Sequence, residues 1–203
     1  MIQRLKELYR KNWLVEYQNR RVYSYMQCAD KILDIGCGRG ELIKLNPQKI
    51  IGLDINPETV RSCRRLGYQV KRGTALKLPF AANSFGAVNA SHLIEHLQPE
   101  QVYRFLEEIS RVLRPQGIFV LSAPLLWAGF YDDLTHIKPY PPAVIMRYLV
   151  EEAAEATLPR LKQRFEKVAL HWRYRPLFHY CLYPLSIHGL KKDGYMLVLK
   201  KIK

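Results

Sequence analysis

The sequence has only four cysteines, no long apolar run, and no internal repeat or low-complexity segment. No apolar stretch approaches the roughly 18 residues of a membrane span, and charged residues interrupt the first ten positions, which argues against a signal-peptide core. The cysteines show no short paired spacing, so they indicate neither a disulfide framework nor a zinc site. They are Cys28, Cys37, Cys63 and Cys181. We therefore expect a protein of the reducing cytoplasm without a transmembrane segment.

Acidic residues are scarce relative to basic ones. The chain has 32 lysines and arginines against 18 acidic residues, a formal net charge of +14. Positions 1–31 carry +4 and positions 160–203 carry +9, so the excess lies at the two ends and the middle is nearly neutral. Such ends favour phosphates, an anionic membrane surface or an acidic substrate, or they form a solvated surface without a partner.

Three glycines at alternate positions mark the most informative segment, Ile32–Ile43. A short apolar run ends in an acid, crosses Gly36, Gly38 and Gly40, and is expected to restart as a helix. Glycine permits a tight strand-to-helix turn and close approach of a ligand, because it has no side chain. Asp34 precedes the turn, at the carboxyl end of the first strand, where open α/β sheets bind ligands. The segment predicts a site for a nucleotide-type ligand.

A second acid stands near the spacing of a ribose-binding residue. Ile50–Asn56 reads as a buried parallel strand containing Asp54, twenty residues after Asp34. The third glycine of the dinucleotide fingerprint is absent, since position 41 is Glu41, and acids near the turn would repel a pyrophosphate. We therefore predict a ligand that is cationic near the turn. Alternatively, Asp54 is a helix N-cap ahead of Pro57.

Apolar periodicity predicts alternating helices and strands along the rest of the chain. One or two amphipathic helices form a cap over residues 1–30, and residues 31–203 form one domain. Further helices are predicted at Pro57–Leu66, Val102–Leu113 and Ala143–Ala156, with a turn at Pro115–Gly117. Strands are predicted at Gln69–Lys71, Ala87–Ser91, Ile118–Ser122, Lys167–His171 and Tyr195–Lys200. Because parallel strands need a crossover element, this alternation predicts an α/β fold with helices on both faces of a mostly parallel sheet.

Taken in order along Ile32–Leu149, these motifs resemble the class I S-adenosylmethionine-dependent methyltransferases, in particular the type 11 methyltransferase domain and the ubiquinone-biosynthesis O-methyltransferases. The resemblance implies a Rossmann-like, doubly wound sheet of seven strands with an antiparallel last pair. It also implies S-adenosyl-L-methionine as cofactor and S-adenosyl-L-homocysteine as product. The residues that match the family's methionine and ribose site are Asp34, Gly36, Cys37, Gly38, Gly40 and Asp54. Those that match its adenine border are Ile55, Thr74, Ala75 and Leu76.

Candidate catalytic residues follow the fourth predicted strand. Methyl transfer to a hydroxyl group needs alignment, exclusion of water and a general base. Ser91 and His92 would lie beside the methionine part of the cofactor. His96 follows four residues later and shares a face with His92 if the segment is helical. We predict His96 as a base or substrate contact; the alternative is a solvated or capping histidine.

The loop after the fifth predicted strand, Tyr131–Pro142, supplies the first candidate for the base. Similar family members have an acid and a histidine on this rim of the acceptor pocket. The resemblance therefore points to His136 as base, with Asp133 or Asp132 as its orienter; the alternative is that Asp133 and Thr135 only organise the loop. Cys37 is predicted to be a packed residue without a nucleophilic role. No metal site is predicted.

The absence of certain residues after the fourth and fifth strands also narrows the range of possible methyl acceptors. Paired prolines with an aromatic residue are absent after the fourth strand, and no cysteine follows the fourth or fifth strand, which argues against methylation of base amines and of pyrimidine carbon 5. We expect a hydroxyl or carboxyl acceptor on a small, lipid-linked or glycan-linked molecule. One alternative is an RNA methyltransferase that grips nucleic acid with its basic, aromatic ends. Another is a non-catalytic cofactor-binding protein, because Thr74 and Gly86 stand where the family usually has acids.

An aromatic and basic segment at 171–189, between the last two strands, contains no acidic residue. We expect it to project as a lid, an interface or a lipid-facing surface, which would suit a cytoplasmic protein peripheral to a membrane. The alternative is ordinary packing over the sheet edge.

Overall fold

Short apolar segments that end in polar residues form the strands of a single sheet. The computed structural model describes residues 2–127, 129–150, 158–159, 161–176 and 190–202. Within these ranges the strands are β1 Ile32–Ile35, β2 Ile50–Asp54, β3 Val70–Arg72, β4 Phe85–Ser91, β5 Leu113–Pro124, β6 Phe165–Pro176 and β7 Leu190–Lys201. The α-helices are α1 Ile2–Met26, α2 Pro57–Arg65, α3 Pro99–Val112 and α4 Pro142–Leu149.

The strands lie in the order β3-β2-β1-β4-β5-β7-β6. Strands β1 to β5 pair in parallel, whereas β7 lies antiparallel between β5 and β6. This confirms the predicted seven-stranded, mostly parallel α/β sheet with an antiparallel last pair. Because the carboxyl ends of parallel strands share one edge, Asp34, Asp54 and Ser91 lie along the same edge of the sheet.

Helices cover both faces of the sheet, as predicted. On one face α1 contributes Val22 to a core that contains Ile32. On the other face α3 and α4 bury Phe105 and Ile145 in a core that contains Leu33. Successive side chains of a strand point to opposite faces, so neighbours Ile32 and Leu33 belong to different cores. Within the described ranges, no helix combines the length and the apolar character that a bilayer crossing requires.

The N-terminal extension is one continuous helix, α1. Its last turns bury Val22 and Met26 against the sheet. The Tyr23 hydroxyl accepts a hydrogen bond from Asn46 Nδ2 at 3.0 Å, which connects α1 to the segment between β1 and β2. A single helix therefore accounts for the helical residues that the sequence predicted ahead of the core.

The chain does not restart as an α-helix after the glycine turn, contrary to the prediction. The connection from β1 to β2 contains one 3-10 turn, Ile43–Leu45. Asn46 N donates to Ile43 O at 3.0 Å, and Asn46 Oδ1 accepts from Lys49 N at 3.2 Å, so the chain turns back here. Pro47 follows Asn46, and a residue before proline is disfavoured in the helical region. The segment between the glycines and this proline is too short for an α-helix.

Strand β5 is longer than predicted and begins at Leu113. The expected turn at Pro115–Gly117 lies inside it, in an irregularity between the pairs Phe85–Leu113 and Ala87–Ile118. Gln116 there has a φ of +65°. The extra residues form an irregularity in the β4–β5 pairing, so the strand continues through the proline and glycine that mark a turn in the sequence.

The ends of α4 and β6 also differ from the sequence reading. Helix α4 begins at Pro142 and ends at Leu149, and positions 151–156 of the predicted helix lie outside the described residues. Strand β6 continues past His171 and pairs Pro176 with Leu190, because the ladder with β7 extends that far. The first six residues of segment 171–189 are therefore strand, and positions 177–189 lie outside the described residues.

Candidate active site

The glycine turn brings backbone without side chains to the carboxyl edge of the sheet. Gly36 N and Cys37 N both donate to Leu53 O, at 2.8 and 3.1 Å, which ties the turn to β2. Gly38 has a φ of +51°, and a Cβ added there would meet no atom within 4 Å. The turn therefore leaves open space beside Gly38 in which a ligand can approach the backbone.

Asp34 is buried between this turn and β4. Its carboxyl is nearly inaccessible, and Asn89 Nδ2 donates to Asp34 Oδ1 at 2.7 Å. Burial raises the pKa of Asp34 to about 7, against the opposing effect of the Asn89 hydrogen bond and with a further contribution from the charge of Asp54. A positively charged ligand beside Asp34 would favour the ionised carboxylate, so this environment suits a cation.

Asp54 holds the turn from the side of β2. Its Oδ2 accepts from Gly38 N at 3.0 Å and its Oδ1 accepts from Asn56 N at 2.8 Å. The alternative that Asp54 caps α2 is wrong, because Asn56 is the cap and accepts from Glu58 N at 2.9 Å. Each carboxylate oxygen can accept a second hydrogen bond, which leaves capacity for a ligand hydroxyl.

The residues that match the adenine border follow β2 and β3. Ile55 exposes 68% of its surface beside Asp54. Gly73 N donates to Asp54 O at 3.0 Å, which brings the following segment to the same edge. There Thr74 Oγ1 accepts from Leu76 N at 3.2 Å, and Leu76 and Ala75 pack partly against the core. An exposed aliphatic side chain at a polar edge is suited to contact the face of a flat ring.

Gly86 lies far from this edge. It stands near the amino end of β4, and a Cβ added there would meet Ala29 Cβ and Asp30 Oδ1 at 3.1 Å each. An acid at this position could not reach a ligand at the opposite, carboxyl end of the strand. The departure of Gly86 from the family pattern therefore gives no argument against cofactor binding.

Two cysteines pack under the turn. Cys63 Sγ donates to Gly38 O at 3.3 Å, and burial raises the pKa of both Cys63 and Cys37. A thiol kept neutral by burial is a poor nucleophile. This environment agrees with the predicted packing role of Cys37.

Ser91 and His92 end β4 at the centre of the carboxyl edge. Ser91 Oγ lies 3.4 Å from Asn89 Oδ1, the amide that also contacts Asp34. His92 has a φ of +52°, and its backbone N donates to Ser122 O at 2.9 Å. Nε2 of the His92 ring lies 3.1 Å from Arg173 Nη1. Both predicted residues thus stand between the glycine turn and β6.

The two predicted histidines are neighbours. The rings of His96 and His136 have centroids 4.8 Å apart, although 40 positions separate them. Glu95, just before His96, is 1% exposed. Ile137 N donates to Glu95 O at 2.8 Å, which joins the loop after β5 to the end of β4.

Asp133 contacts this pair through Thr135. Its Oδ1 accepts from Thr135 N at 2.9 Å and from Thr135 Oγ1 at 2.7 Å, and these hydrogen bonds hold the pKa of Asp133 below its usual range. Thr135 Oγ1 lies 2.9 Å from His96 Nδ1. His136 Nδ1 instead lies 2.6 Å from Phe130 O. The side-chain hydrogen bonds of Asp133 therefore lead toward His96, whereas we had predicted that Asp133 orients His136.

A cavity of about 440 Å³ adjoins Ser91 and His92 on the side of β6. Strands β6 and β7 and helix α1 form its other walls, so most of its lining was not predicted. The α1 residues that line it are Leu14, Val15, Tyr17, Gln18, Asn19, Arg21 and Val22. The other lining residues are Ser91, His92, Ser122, His171, Trp172, Arg173, Tyr174, Tyr195 and Met196.

Arg21 gives this mainly apolar cavity a positive charge, whereas the charge of the second arginine, Arg173, is paired with Asp193. Arg21 Nη2 lies 2.8 Å from His171 Nδ1, and Tyr25 Oη lies 2.7 Å from His171 Nε2. Burial, and next the charge of Arg21, lower the pKa of His171. Arg173 Nε donates to Asp193 Oδ1 at 2.8 Å. The alternation of aromatic and basic residues from position 171 onward was the sequence signal for this wall.

A family model described as a methyltransferase domain matches residues 33–121. This range contains the glycine turn, both aspartates and the end of β4. This segment of the chain is therefore similar to a methyltransferase domain. The predicted resemblance to class I methyltransferases is thereby confirmed for the part of the chain that carries the cofactor-side residues.

Curated relatives share this methyltransferase domain over part of their length. A tRNA (carboxymethyluridine(34)-5-O)-methyltransferase from Arabidopsis thaliana is 30% identical over 113 residues, which cover 55% of this chain and 27% of that protein. A phthiotriol/phenolphthiotriol dimycocerosates methyltransferase from Mycobacterium leprae is 37% identical over 99 residues, which cover 43% of this chain and 35% of that protein. The matched segments thus span only about a third of the length of these relatives.

The fold of the methyltransferase domain has counterparts among solved structures. A SAM-dependent methyltransferase from Archaeoglobus fulgidus is similar with a TM-score of 0.71 and 23% identity, and 93% of each chain is covered. At this identity the likeness shows the fold alone. It covers a much larger share of the chain than the family model does.

Proposed function

We propose that this chain transfers a methyl group from S-adenosylmethionine to a hydroxyl or carboxyl group of a small, lipid-linked or glycan-linked acceptor. The observation that carries the proposal is the arrangement of two compartments at one edge of the sheet. Open backbone and a buried acid lie on the side of β1 and β2, and a positively charged cavity lies on the side of β6 and β7. Ser91 and His92 lie between them.

The residues on the first side fit S-adenosylmethionine. The space beside Gly38, which a Cβ would occupy, gives the ligand access to the turn, and Asp34 offers a desolvated negative charge to a cation. The Asp54 carboxylate has unused acceptor capacity for ribose hydroxyls, and Ile55 presents an exposed aliphatic surface for the adenine. When bound, the cofactor supplies a methyl group on a positively charged sulfur.

The protein's own contribution is alignment and desolvation. The turn is fixed to β2 through Leu53 O and Asp54, so a bound ligand meets a rigid backbone. Rigid placement of two reactants replaces a collision in solution by a reaction within one complex. The prediction of His136 or His96 as the group that removes the acceptor proton stays part of the proposal.

The acceptor class is inferred from the cavity. Its lining is mainly apolar, and the guanidinium groups of Arg21 and Arg173 lie at its surface. An acceptor with an apolar body and an acidic or phosphorylated group would satisfy both features. A lipid-linked acceptor at an anionic membrane surface agrees with the basic chain ends and with the name of the mycobacterial relative.

Binding of S-adenosylhomocysteine tests the cofactor half of the proposal. We expect calorimetry to show one site, and we expect Asp54→Ala to weaken it at least about tenfold, since hydrogen bonds to a charged group contribute roughly 1.5–3 kcal/mol. Glu58→Ala is the matched control, because Glu58 is an exposed acid nearby whose side chain faces Arg61. Absence of binding, or equal binding by Asp54→Ala and wild type, would sink the proposal.

Transfer of labelled methyl tests the acceptor half. The protein is incubated with labelled S-adenosylmethionine and either a lipid extract, a small-molecule fraction or total RNA. We expect label in the lipid or small-molecule fraction. Label in none of the three, despite cofactor binding, would favour the non-catalytic alternative.

The second candidate is an RNA methyltransferase. It is favoured by the basic chain ends and by the tRNA named for the Arabidopsis relative. Phosphate contacts predict that RNA affinity falls steeply as salt increases. Label in the RNA fraction together with such a salt dependence would select this candidate over the lipid-linked acceptor.

A further inference from the structure

Glu95 carries a buried carboxylate for which the described residues supply no hydrogen-bond donor. It lies in the 3-10 turn Ile94–His96 after β4, and both of its carboxylate oxygens are buried without a hydrogen-bond partner in the described part of the chain. Nδ1 of His92 lies 3.3 Å from Oε1 but does not complete a hydrogen bond. Leaving a carboxylate out of water without a partner is costly, so such groups are usually paired or coordinate a metal. A cation bound beside Glu95 would stabilise its buried carboxylate.

Two histidines, His96 and His136, each place one ring nitrogen near this carboxylate. His136 Nδ1 lies 2.6 Å from Phe130 O, and His96 Nδ1 lies 3.1 Å from Thr135 O. A carbonyl oxygen can only accept, so each Nδ1 carries the hydrogen and each Nε2 keeps a lone pair. A hydrogen bond from the second ring nitrogen to a backbone carbonyl is the usual support of a metal-binding histidine.

We propose that Glu95, His96 and His136 bind one divalent transition-metal ion, of the class of Zn²⁺, Mn²⁺ or Fe²⁺. One ligand atom from each residue lies within 4.8 Å of the others. Ligands about 2.1 Å from a tetrahedral ion are roughly 3.4 Å apart, so closure requires movements of about 1 Å. Two neutral imidazoles favour this class over Mg²⁺ or Ca²⁺. Three protein ligands leave at least one position open.

The site adjoins the acceptor cavity. His92 lines that cavity and lies beside Glu95, and the charge of Glu95 also acts on Tyr195, another lining residue. The role of the ion rests on the proposed function: its open position would take the acceptor oxygen and lower the pKa of that hydroxyl. The proton leaves to water, the oxygen forms a bond to the methyl carbon, and the electron pair of the broken carbon–sulfur bond stays on sulfur. His96 and His136 would then both serve as metal ligands, in place of the role as base that the proposed function gives to one of them.

Metal binding is measured on the full chain after chelator treatment and without cofactor. We expect one Zn²⁺ per chain by calorimetry, and we expect Co²⁺ to give an absorption spectrum of nitrogen and oxygen ligation without thiolate charge-transfer bands. His136→Ala and His96→Ala should each weaken Zn²⁺ binding at least about 100-fold, because even supporting residues of metal sites contribute 10–100-fold. His171→Gln, a histidine outside the cluster, is the matched control and should bind as wild type does.

Glu95→Gln separates a metal ligand from a merely structural acid. It should abolish tight Zn²⁺ binding and raise the melting temperature of the metal-free protein, because it replaces a buried carboxylate whose oxygens lack hydrogen bonds by a neutral amide. Since His136 is only half-buried, His136→Ala tests the site even if Glu95→Gln fails to fold. The inference would be overturned if Zn²⁺ binding were not saturable, if Co²⁺ gave thiolate charge-transfer bands, or if both histidine variants kept the Zn²⁺ affinity of wild type.

A parallel titration with S-adenosylhomocysteine keeps the two proposals distinct. If that compound binds and Zn²⁺ does not, the metal site is wrong and the proposed function stands. If Zn²⁺ binds and the compound does not, the proposed function is wrong. The metal site then stands, but without the role in methyl transfer.

Discussion

Replacing Asp34 with asparagine tests whether its buried carboxyl is protonated in the ligand-free protein at slightly acidic pH. The folded pKa of about 7 exceeds the ordinary value of 3.8, so the folded state binds more protons than the unfolded state between these values. The contribution of this carboxyl to the free energy of unfolding is therefore greatest at low pH and is lost as the pH rises to about 7. Each pH unit corresponds to about 1.4 kcal/mol. From pH 5 to pH 8 the loss is about 3 kcal/mol.

The assay is urea unfolding followed by circular dichroism at pH 5, 6, 7 and 8. Asparagine keeps an acceptor for the Asn89 amide but does not ionise, so the free energy of unfolding of Asp34→Asn should not show this loss. The difference between wild type and variant should change by about 3 kcal/mol across the range, in favour of the variant at pH 8. Asp133→Asn, an exposed control, should follow wild type. A difference that stays constant with pH would refute the reasoning.

The same carboxyl should couple cofactor binding to protons. A positively charged sulfur beside Asp34 favours the ionised form, so binding of S-adenosylmethionine should release a proton below pH 7. Its affinity relative to uncharged-sulfur S-adenosylhomocysteine should rise from pH 5 to pH 8 in wild type and stay constant in Asp34→Asn. Isothermal titration in buffers of different ionisation enthalpy measures that proton directly.

Two further substitutions test the two sides of the site. Gly38→Ala should lower the free energy of unfolding by roughly 1 kcal/mol, because its φ is left-handed, and should weaken S-adenosylhomocysteine binding at least tenfold by filling the open space. Gly67→Ala, also left-handed with open surroundings, should lower stability alike without changing that affinity; equal affinities in both variants would contradict the ligand position. Arg21→Met should raise the KM for an anionic acceptor several-fold and leave cofactor affinity unchanged, and a KM equal to wild type across salt concentrations would remove Arg21 from the acceptor site.

The sequence was sufficient to place the residues at the carboxyl ends of β1 and β2. Asp34, the glycines and Asp54 follow a local pattern, because strand ends, turns and crossover lengths are set by neighbouring residues. The α-helix expected after Gly40 failed for a local reason as well, since Asn46 and Pro47 turn the chain back before a helix forms. That signal was present in the sequence and was outweighed by the family pattern.

Contacts between distant segments could not be read from the chain. Arg21 meets His171 across 150 positions, and His96 meets His136 across 40, through the order of the strands and the path of the loop after β5. The sequence suggested each histidine singly as a base. Only the fold shows that the Glu95 carboxylate is buried without a donor, which is the feature that separates a metal site from two loop histidines.

The cavity beside β6 is enclosed by the two ends of the chain, with α1 on one side and the β6–β7 pair on the other. Residues 34–91, which carry the glycine turn and both aspartates, contribute only Ser91 to its lining. Exchange of the terminal segments would therefore change which acceptor fits the cavity. The glycine turn and the two aspartates, on the side proposed for S-adenosylmethionine, would keep their arrangement. Chimeras that join this central segment to the ends of a relative are a direct route to altered acceptor preference.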